Sequence, residues 1–215
     1  MIDLHTHSLL SDGELLPSEL VRRLEAMGYS CVAITDHVDS SNIDFVIPRL
    51  VSAARELNAG QSVTVVPGAE ITHVPPEMIR ALVQSARELG AEIVLVHGET
   101  IIEPVPEGTN KAAILSGVDI LAHPGLIAPE DVKLAAERGV YLEISARHGH
   151  SFANGHVARW ATEYGGRLVL NSDAHAPGDF MSRQFAERVA YGSGLEETAL
   201  EEMLANSRDL IKKLR

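Results

Sequence analysis

Glu92-Ile93-Val94-Leu95-Val96-His97 and, one helical stretch later, Val118-Asp119-Ile120-Leu121-Ala122-His123 are short apolar runs that each finish on histidine. Ile93–Val96 and Val118–Ala122 are near-continuous rather than alternating, the pattern of strands covered on both faces. Strands of that kind belong to parallel α/β sheets. Working outward, similar runs recur at Met1–His7, Cys31–His37, Val63–Ile71, Val140–Ser145 and Arg167–Asp173. Between them lie amphipathic stretches at Pro17–Met27, Val46–Asn58, Pro75–Leu89, Thr109–Leu115, Pro129–Glu137 and Asn154–Tyr164. Two more follow the last strand, near Gly178–Ala190 and Leu195–Ala205. Pro17, Pro75 and Pro129 stand at first-turn positions, and Gly28, Gly90, Gly117, Gly139 and Gly165 follow the helices. The strand–helix unit therefore repeats seven times, which predicts a parallel sheet, either closed as a barrel or open and doubly wound. No linker or low-complexity segment interrupts it, so residues 1–215 are expected to form a single domain.

Composition narrows the function. Against 18 Lys+Arg stand 30 Asp+Glu, a formal net charge of −12, which argues against a general binder of long nucleic acid or of anionic membrane. Cys31 is the single cysteine, so no internal disulfide framework forms and a reducing compartment is expected. No apolar run approaches the ~18 residues of a membrane span, and no basic-then-apolar leader opens the chain. The expectation is a soluble, cytoplasmic protein. Cys31 reads as a small buried hydrophobe, Trp160 as a core anchor, and the basic residues ending the last helix as partners of its dipole.

The ten histidines are the anomaly. Strand ends carry His5 and His7, Asp36 and His37, Glu70, His97, His123, and finally Asp173 and His175. Because side chains alternate along a strand, His5 and His7 share a face, as do Asp173 and His175. Burying so many imidazoles and carboxylates at one rim without a cation would be costly. A mixed nitrogen and carboxylate set suits divalent Zn, Mn or Fe, and it exceeds what one ion needs, so two or three ions are implied. Glu70 is the natural bridging carboxylate. Asp3, on the His5 face, is either a hydrogen-bond acceptor for a ligand imidazole or a structural acid capped by backbone amides.

The motifs His5-Thr6-His7, Ser11-Asp12-Gly13, Ile34-Thr35-Asp36-His37, Pro67-Gly68-Ala69-Glu70, Val96-His97-Gly98, Ala122-His123-Pro124 and Asn171-Ser172-Asp173-Ala174-His175 resemble those of the PHP (polymerase and histidinol phosphatase) family. The resemblance implies a distorted TIM-like (β/α)7 barrel with up to three metals at the C-terminal rim of the strands. It implies that His5, His7, Glu70 and Asp173 hold one ion, Asp12, His37 and His175 a second, and Glu70, His97 and His123 a third. Asp12 stands where some members have histidine. The implied activity is hydrolysis of a small phosphomonoester by metal-activated hydroxide, as in a histidinol phosphatase. The alternatives are a nucleotide phosphodiesterase or exonuclease, an amide hydrolase using the same centre, and a silent metal-binding module.

Substrate-reading residues are sought in the loops after strands. Arg147 shares the period-two face of Glu143 and Ser145, which places it to grip phosphate oxygens. Arg183 is a second phosphate candidate, ahead of Lys111. Among His148, His150 and His156, His148 is the preferred acid or base, and Asn154 reads as the N-cap of the helix that holds His156. Glu99, Glu103 and Glu107 read as a solubilising acidic loop, or as recognition of a substrate amine. His73 is out of phase with Glu70 and is not expected to be a ligand.

Overall fold

Every strand pair is parallel, so all the C-terminal strand ends gather at one rim. The computed structural model describes residues 1–214, leaving Arg215 outside. The strands are β1 (Ile2–Asp3), β2 (Cys31–Ile34), β3 (His37–Val38), β4 (Thr64–Ile71), β5 (Ile93–His97), β6 (Ile120–Ala122), β7 (Tyr141–Ser145) and β8 (Arg167–Asn171). Their order is β1-β2-β4-β5-β6-β7-β8, with β3 also on β4. β2 and β3 are halves of the one strand expected over Cys31–His37, because Ile34 pairs with Pro67 and His37 with Glu70 in unchanged register.

Helices α1 (Pro17–Ala26), α2 (Ile43–Gly60), α3 (Pro76–Glu88), α4 (Thr109–Ser116), α5 (Pro129–Arg138) and α6 (Asn154–Tyr164) connect the strands. α3 shows why they pack as they do: Ile79, Leu82, Val83 and Ala86 recur at helical spacing and are its buried face. Two more helices, α7 (Arg183–Gly192) and α8 (Ala199–Lys213), follow β8. α8 runs past the N-terminal ends of the last two strands. There Asn206 Nδ2 donates to the Leu168 carbonyl, and Lys213 Nζ lies 5.7 Å from the Tyr141 ring. No described helix is long and apolar enough to cross a membrane.

The seam between β8 and β1 decides between barrel and open sheet. Side chains bridge its lower part: Leu4 N donates to Asn171 Oδ1 at 2.9 Å, and Ser172 N to Asp3 Oδ1 at 3.2 Å. Higher up, Thr6 and Ala174 form an isolated parallel bridge, with His7 N donating to the Ala174 carbonyl. The result is a TIM-like (β/α)7 barrel, distorted where side chains replace a ladder. Asp3 thus takes the structural role of the two read for it, accepting from backbone amides.

Loop geometry at the rim is equally constrained. Gly125 has φ 61°, and a Cβ there would lie 1.8 Å from the Glu99 carbonyl oxygen. Gly125→Ala is expected to cost more than about 2 kcal/mol, lowering the melting temperature by about 5 °C or more. Thermal denaturation of the variant beside the wild type checks this.

Candidate metal centre

The floor of the centre is a buried carboxylate on β7. Glu143 Oε1 lies 2.8 Å from His5 Nδ1 and accepts from Asn171 Nδ2 at 2.8 Å, and its Oε2 accepts from His123 N at 3.0 Å. Burial works to raise the Glu143 pKa, but His5 beside it outweighs that effect and keeps it below the ordinary value. A carboxylate accepting from one ring nitrogen fixes the other as a lone-pair donor, the usual support of a metal-binding imidazole. For His5 that other nitrogen is Nε2, which lies 3.3 Å from Glu70 Oε2 and 3.6 Å from Asp173 Oδ1.

His7 Nε2 completes the inner cage, 3.6 Å from Glu70 Oε2 and 3.2 Å from Asp173 Oδ1. His5 Nε2, His7 Nε2, both Glu70 oxygens and Asp173 Oδ1 are buried and make no hydrogen bond. Leaving so many buried polar atoms unmatched is unfavourable by about 1–3 kcal/mol each unless something else satisfies them. Donors about 2.1 Å from a shared transition ion stand about 3.0 Å apart at octahedral and about 3.4 Å apart at tetrahedral angles. The separations in the cage, 3.2 to 3.6 Å, lie at the tetrahedral end of that range or just beyond it, and the donor set fits a divalent cation. Burial tends to raise the Glu70 pKa, but His5 and His37 hold it well below the carboxylate range. Burial and the neighbouring His37 and His5 hold His7 well below the usual imidazole value, so it is neutral and competent to donate a lone pair.

Two further groups flank the cage. His7, Asp12, His37 and His175 bring donor atoms within 4.8 Å of one another. Asp12 Oδ1 lies 3.3 Å from His175 Nε2 and 3.6 Å from His37 Nε2. Asp36 turns away from the cluster and holds the loop that carries Asp12, accepting from Ser8 N, Ser8 Oγ and Ser11 Oγ. On the other side His97, His123 and His150 form a buried group, and His123 Nε2 lies 3.4 Å from Glu70 Oε1. His5, His7, Asp12, His37, Glu70, His97, His123, Asp173 and His175 therefore lie in one continuous cluster, and Asp36 alone of the strand-end residues stays out of it. Two of its members carry backbone strain: His123 has φ 26° and Asp173 φ 52°. Such conformations cost on the order of 1–3 kcal/mol and mark sites where the surroundings impose them.

Above the cage opens a cavity of about 230 Å³. Among the described residues that line it, Arg147 is the one permanent cation. Its Nη1 donates to the Asp173 carbonyl at 3.0 Å and lies 2.8 Å from His175 Nδ1.

The structure does not bring Arg183 to the site. After His175 the chain descends the barrel, so that Met181 accepts from Tyr29 Oη and Arg183 acts on the Met1 amino group at the opposite end. Exposed Arg183 there contacts Glu187 and Glu201. His148 is also turned away: it is exposed and lies edge-on to Phe152. His150, ranked below it from sequence, is the buried one, because a one-turn 3-10 helix at His150–Ala153 reverses the chain into the cluster. Asn154 does not cap α6; its amide clamps both backbone groups of Ser145 and so anchors the end of β7. Lys111 is exposed and does not line the cavity, and Glu99 accepts from Asn110 N near the start of α4. Glu143 is the buried partner of His5 to which the sequence reading gave no role, whereas Glu103, read as an acidic-loop residue or a contact for a substrate amine, and His73, read as no ligand, meet at the cavity. For Glu143 the available signal was its inward position on β7, in phase with Arg147.

The chain is similar to known proteins in sequence and in fold. The family model described as PHP domain matches residues 3–107. An uncharacterized protein of Methanocaldococcus jannaschii is 44% identical, over 99% of both chains. A protein of Shewanella pealeana described as "Probable phosphatase" is 31% identical, covering 89% of this chain and 85% of its own. Among solved structures, a chain of archaeal ribonuclease P with mature tRNA superimposes with a TM-score of 0.76 at 16% identity, over 100% of this chain and 91% of that one. At that identity the likeness is one of fold.

Proposed function

The chain belongs to the PHP domain family, and we propose that it is a metal-dependent phosphoesterase that hydrolyses a small phosphomonoester, with two or three divalent Zn, Mn or Fe ions. The observation that carries this reading is the set of buried, unmatched donors on His5, His7, Glu70 and Asp173 below an arginine-lined opening. Bound divalent ions supply a water of lowered pKa and positive charge against the phosphoryl oxygens. The protein's own residues do the rest. Glu143 holds His5 in the tautomer that leaves Nε2 facing the cage. Arg147 is pinned through Nη1 to the Asp173 carbonyl, with Nε 3.7 Å from Asp173 Oδ2, and its Nη2 is the arm left to orient phosphate oxygens. The cavity is smaller than the about 300–1,000 Å³ of drug-sized pockets, which favours a compact head group. Together with the −12 charge, this supports a small substrate over long nucleic acid.

The test is phosphate release from a panel that includes histidinol phosphate and 3′- and 5′-nucleotides, with Mn²⁺, Zn²⁺ and Fe²⁺ compared. Strong preference for one monoester is expected. The reading fails if metal-loaded protein releases nothing from the panel and His97→Ala behaves as the wild type, which is the outcome for a silent module.

Position within the site predicts which arginine matters. Arg147→Ala is expected to lower kcat/KM by about 10–100-fold, chiefly through KM, the range for losing a hydrogen bond to a charged group. Arg183→Ala, at the far end of the barrel, is expected to stay within about twofold of wild type. Steady-state kinetics on both, with metal content measured alongside, separates a phosphate contact from a disturbed cage.

A further inference from the structure

The loop of residues 98–108 reaches back into the cavity through one side chain. Glu103 Oε2 lies 3.0 Å from His73 Nε2 and 3.1 Å from His97 Nε2. His73, His97 and Glu103 offer three donor atoms within 4.8 Å of one another, at the mouth rather than in the cage. The period of two turns His73 away from the Glu70 face, yet the backbone returns it. His73 has φ 52°, and among the described residues the only other non-glycines with positive φ are His123 and Asp173, both in the cluster. Strain shared with cage members is an observation independent of the contact with Glu103.

His97 has one ring nitrogen to give. Its Nδ1 lies 3.2 Å from the Gly98 carbonyl, leaving Nε2 for a ligand role. An ion held by His97 is therefore within reach of the outer pair as well. The loop is already tied down near this point, with Thr100 Oγ1 2.7 Å from His150 Nδ1.

We propose that His73 and Glu103, with His97, form an outer site for a divalent transition ion, so that the outermost cation of the centre also clamps the 98–108 loop over the cavity. Two imidazoles and one carboxylate suit Zn²⁺, Mn²⁺, Fe²⁺ or Co²⁺ rather than Ca²⁺. The inference goes beyond the phosphoesterase reading and does not depend on it, since its readout is bound metal and not turnover.

The experiment loads full-length wild type, His73→Ala and Glu103→Gln with Co²⁺ or Zn²⁺, dialyses them, and counts equivalents by elemental mass spectrometry. The visible Co²⁺ spectrum and limited proteolysis of the loop are followed in parallel. Each variant is expected to lose one equivalent, or to hold its weakest ion at least tenfold less tightly, while retaining the inner ions. Metal is expected to protect the wild-type loop from protease and to leave the variants' loops cut. Wild-type stoichiometry, affinity and spectrum in both variants would overturn the proposal and reduce Glu103 to an ion-pairing anchor. Loss of all metal in both would overturn it too, since the inner cage would then not be separate.

Discussion

Glu70→Gln is expected to lower phosphate release by about three orders of magnitude or more and to reduce the bound metal. The carboxylate stands at the centre of the cluster, 3.3 Å from His5 Nε2, 2.8 Å from His37 Nδ1 and 3.4 Å from His123 Nε2. Like Asp173, it lies within 4 Å of imidazoles from all three ligand groups, and its contacts are the shorter to His37 and His123. Glutamine preserves its shape but removes its charge and one acceptor oxygen, so a cation held between Glu70 and these imidazoles would lose a ligand. Losing the attacking water and the charge that offsets the phosphoryl oxygens together gives an effect of this size. The measurement is kcat/KM with metal equivalents on the same sample. A variant with wild-type turnover and full metal content would remove Glu70 from the centre and with it the reading of the cage.

Stripping metal with a chelator is expected to lower the melting temperature by about 5–10 °C. Ligands that bind only the folded state stabilise it by about 2.7 kcal/mol at one hundred times their dissociation constant. In a protein of this size each kcal/mol moves the midpoint by about 2–4 °C. The physical source is specific: Glu70, Asp173, His5 and His7 are buried together with unmatched polar atoms that a cation would satisfy. Differential scanning calorimetry of stripped and reloaded protein checks it. A stripped protein that melts within about 1 °C of the loaded form would mean the cluster satisfies itself without ions.

How far the sequence could be read depended on whether a residue sat on a strand or in a loop. β5 and β6 were legible because both faces are covered and every position before the terminal His97 is apolar, a local property. His97 and Glu70 were placed by the same logic, as strand residues at the rim. His148 and His150 were not separable that way. Their difference lies in a 3-10 turn that rotates one inward and the other out, and no period describes such a turn. Arg183 was misplaced for a related reason: its distance from Asp173 along the chain says nothing about the descent of residues 176–182 to the far end of the barrel. Glu103 lies in a long loop whose composition looks like a solvated acidic surface, and only the tertiary structure brings it to His73 and His97.

By itself, the sequence determined the alternation of strand and helix and the chemistry of the strand ends, since both follow from periodicity and side-chain type within a few residues. Only the tertiary structure decided that the sheet closes, through Asn171 and Asp3 rather than a ladder, and that Glu143 supports the cage from below. It also decided which loop residues join the centre. Those contacts link residues more than a hundred positions apart, such as Leu4 with Asn171 and His5 with Glu143, and their energies depend on distance in space, which no local pattern encodes.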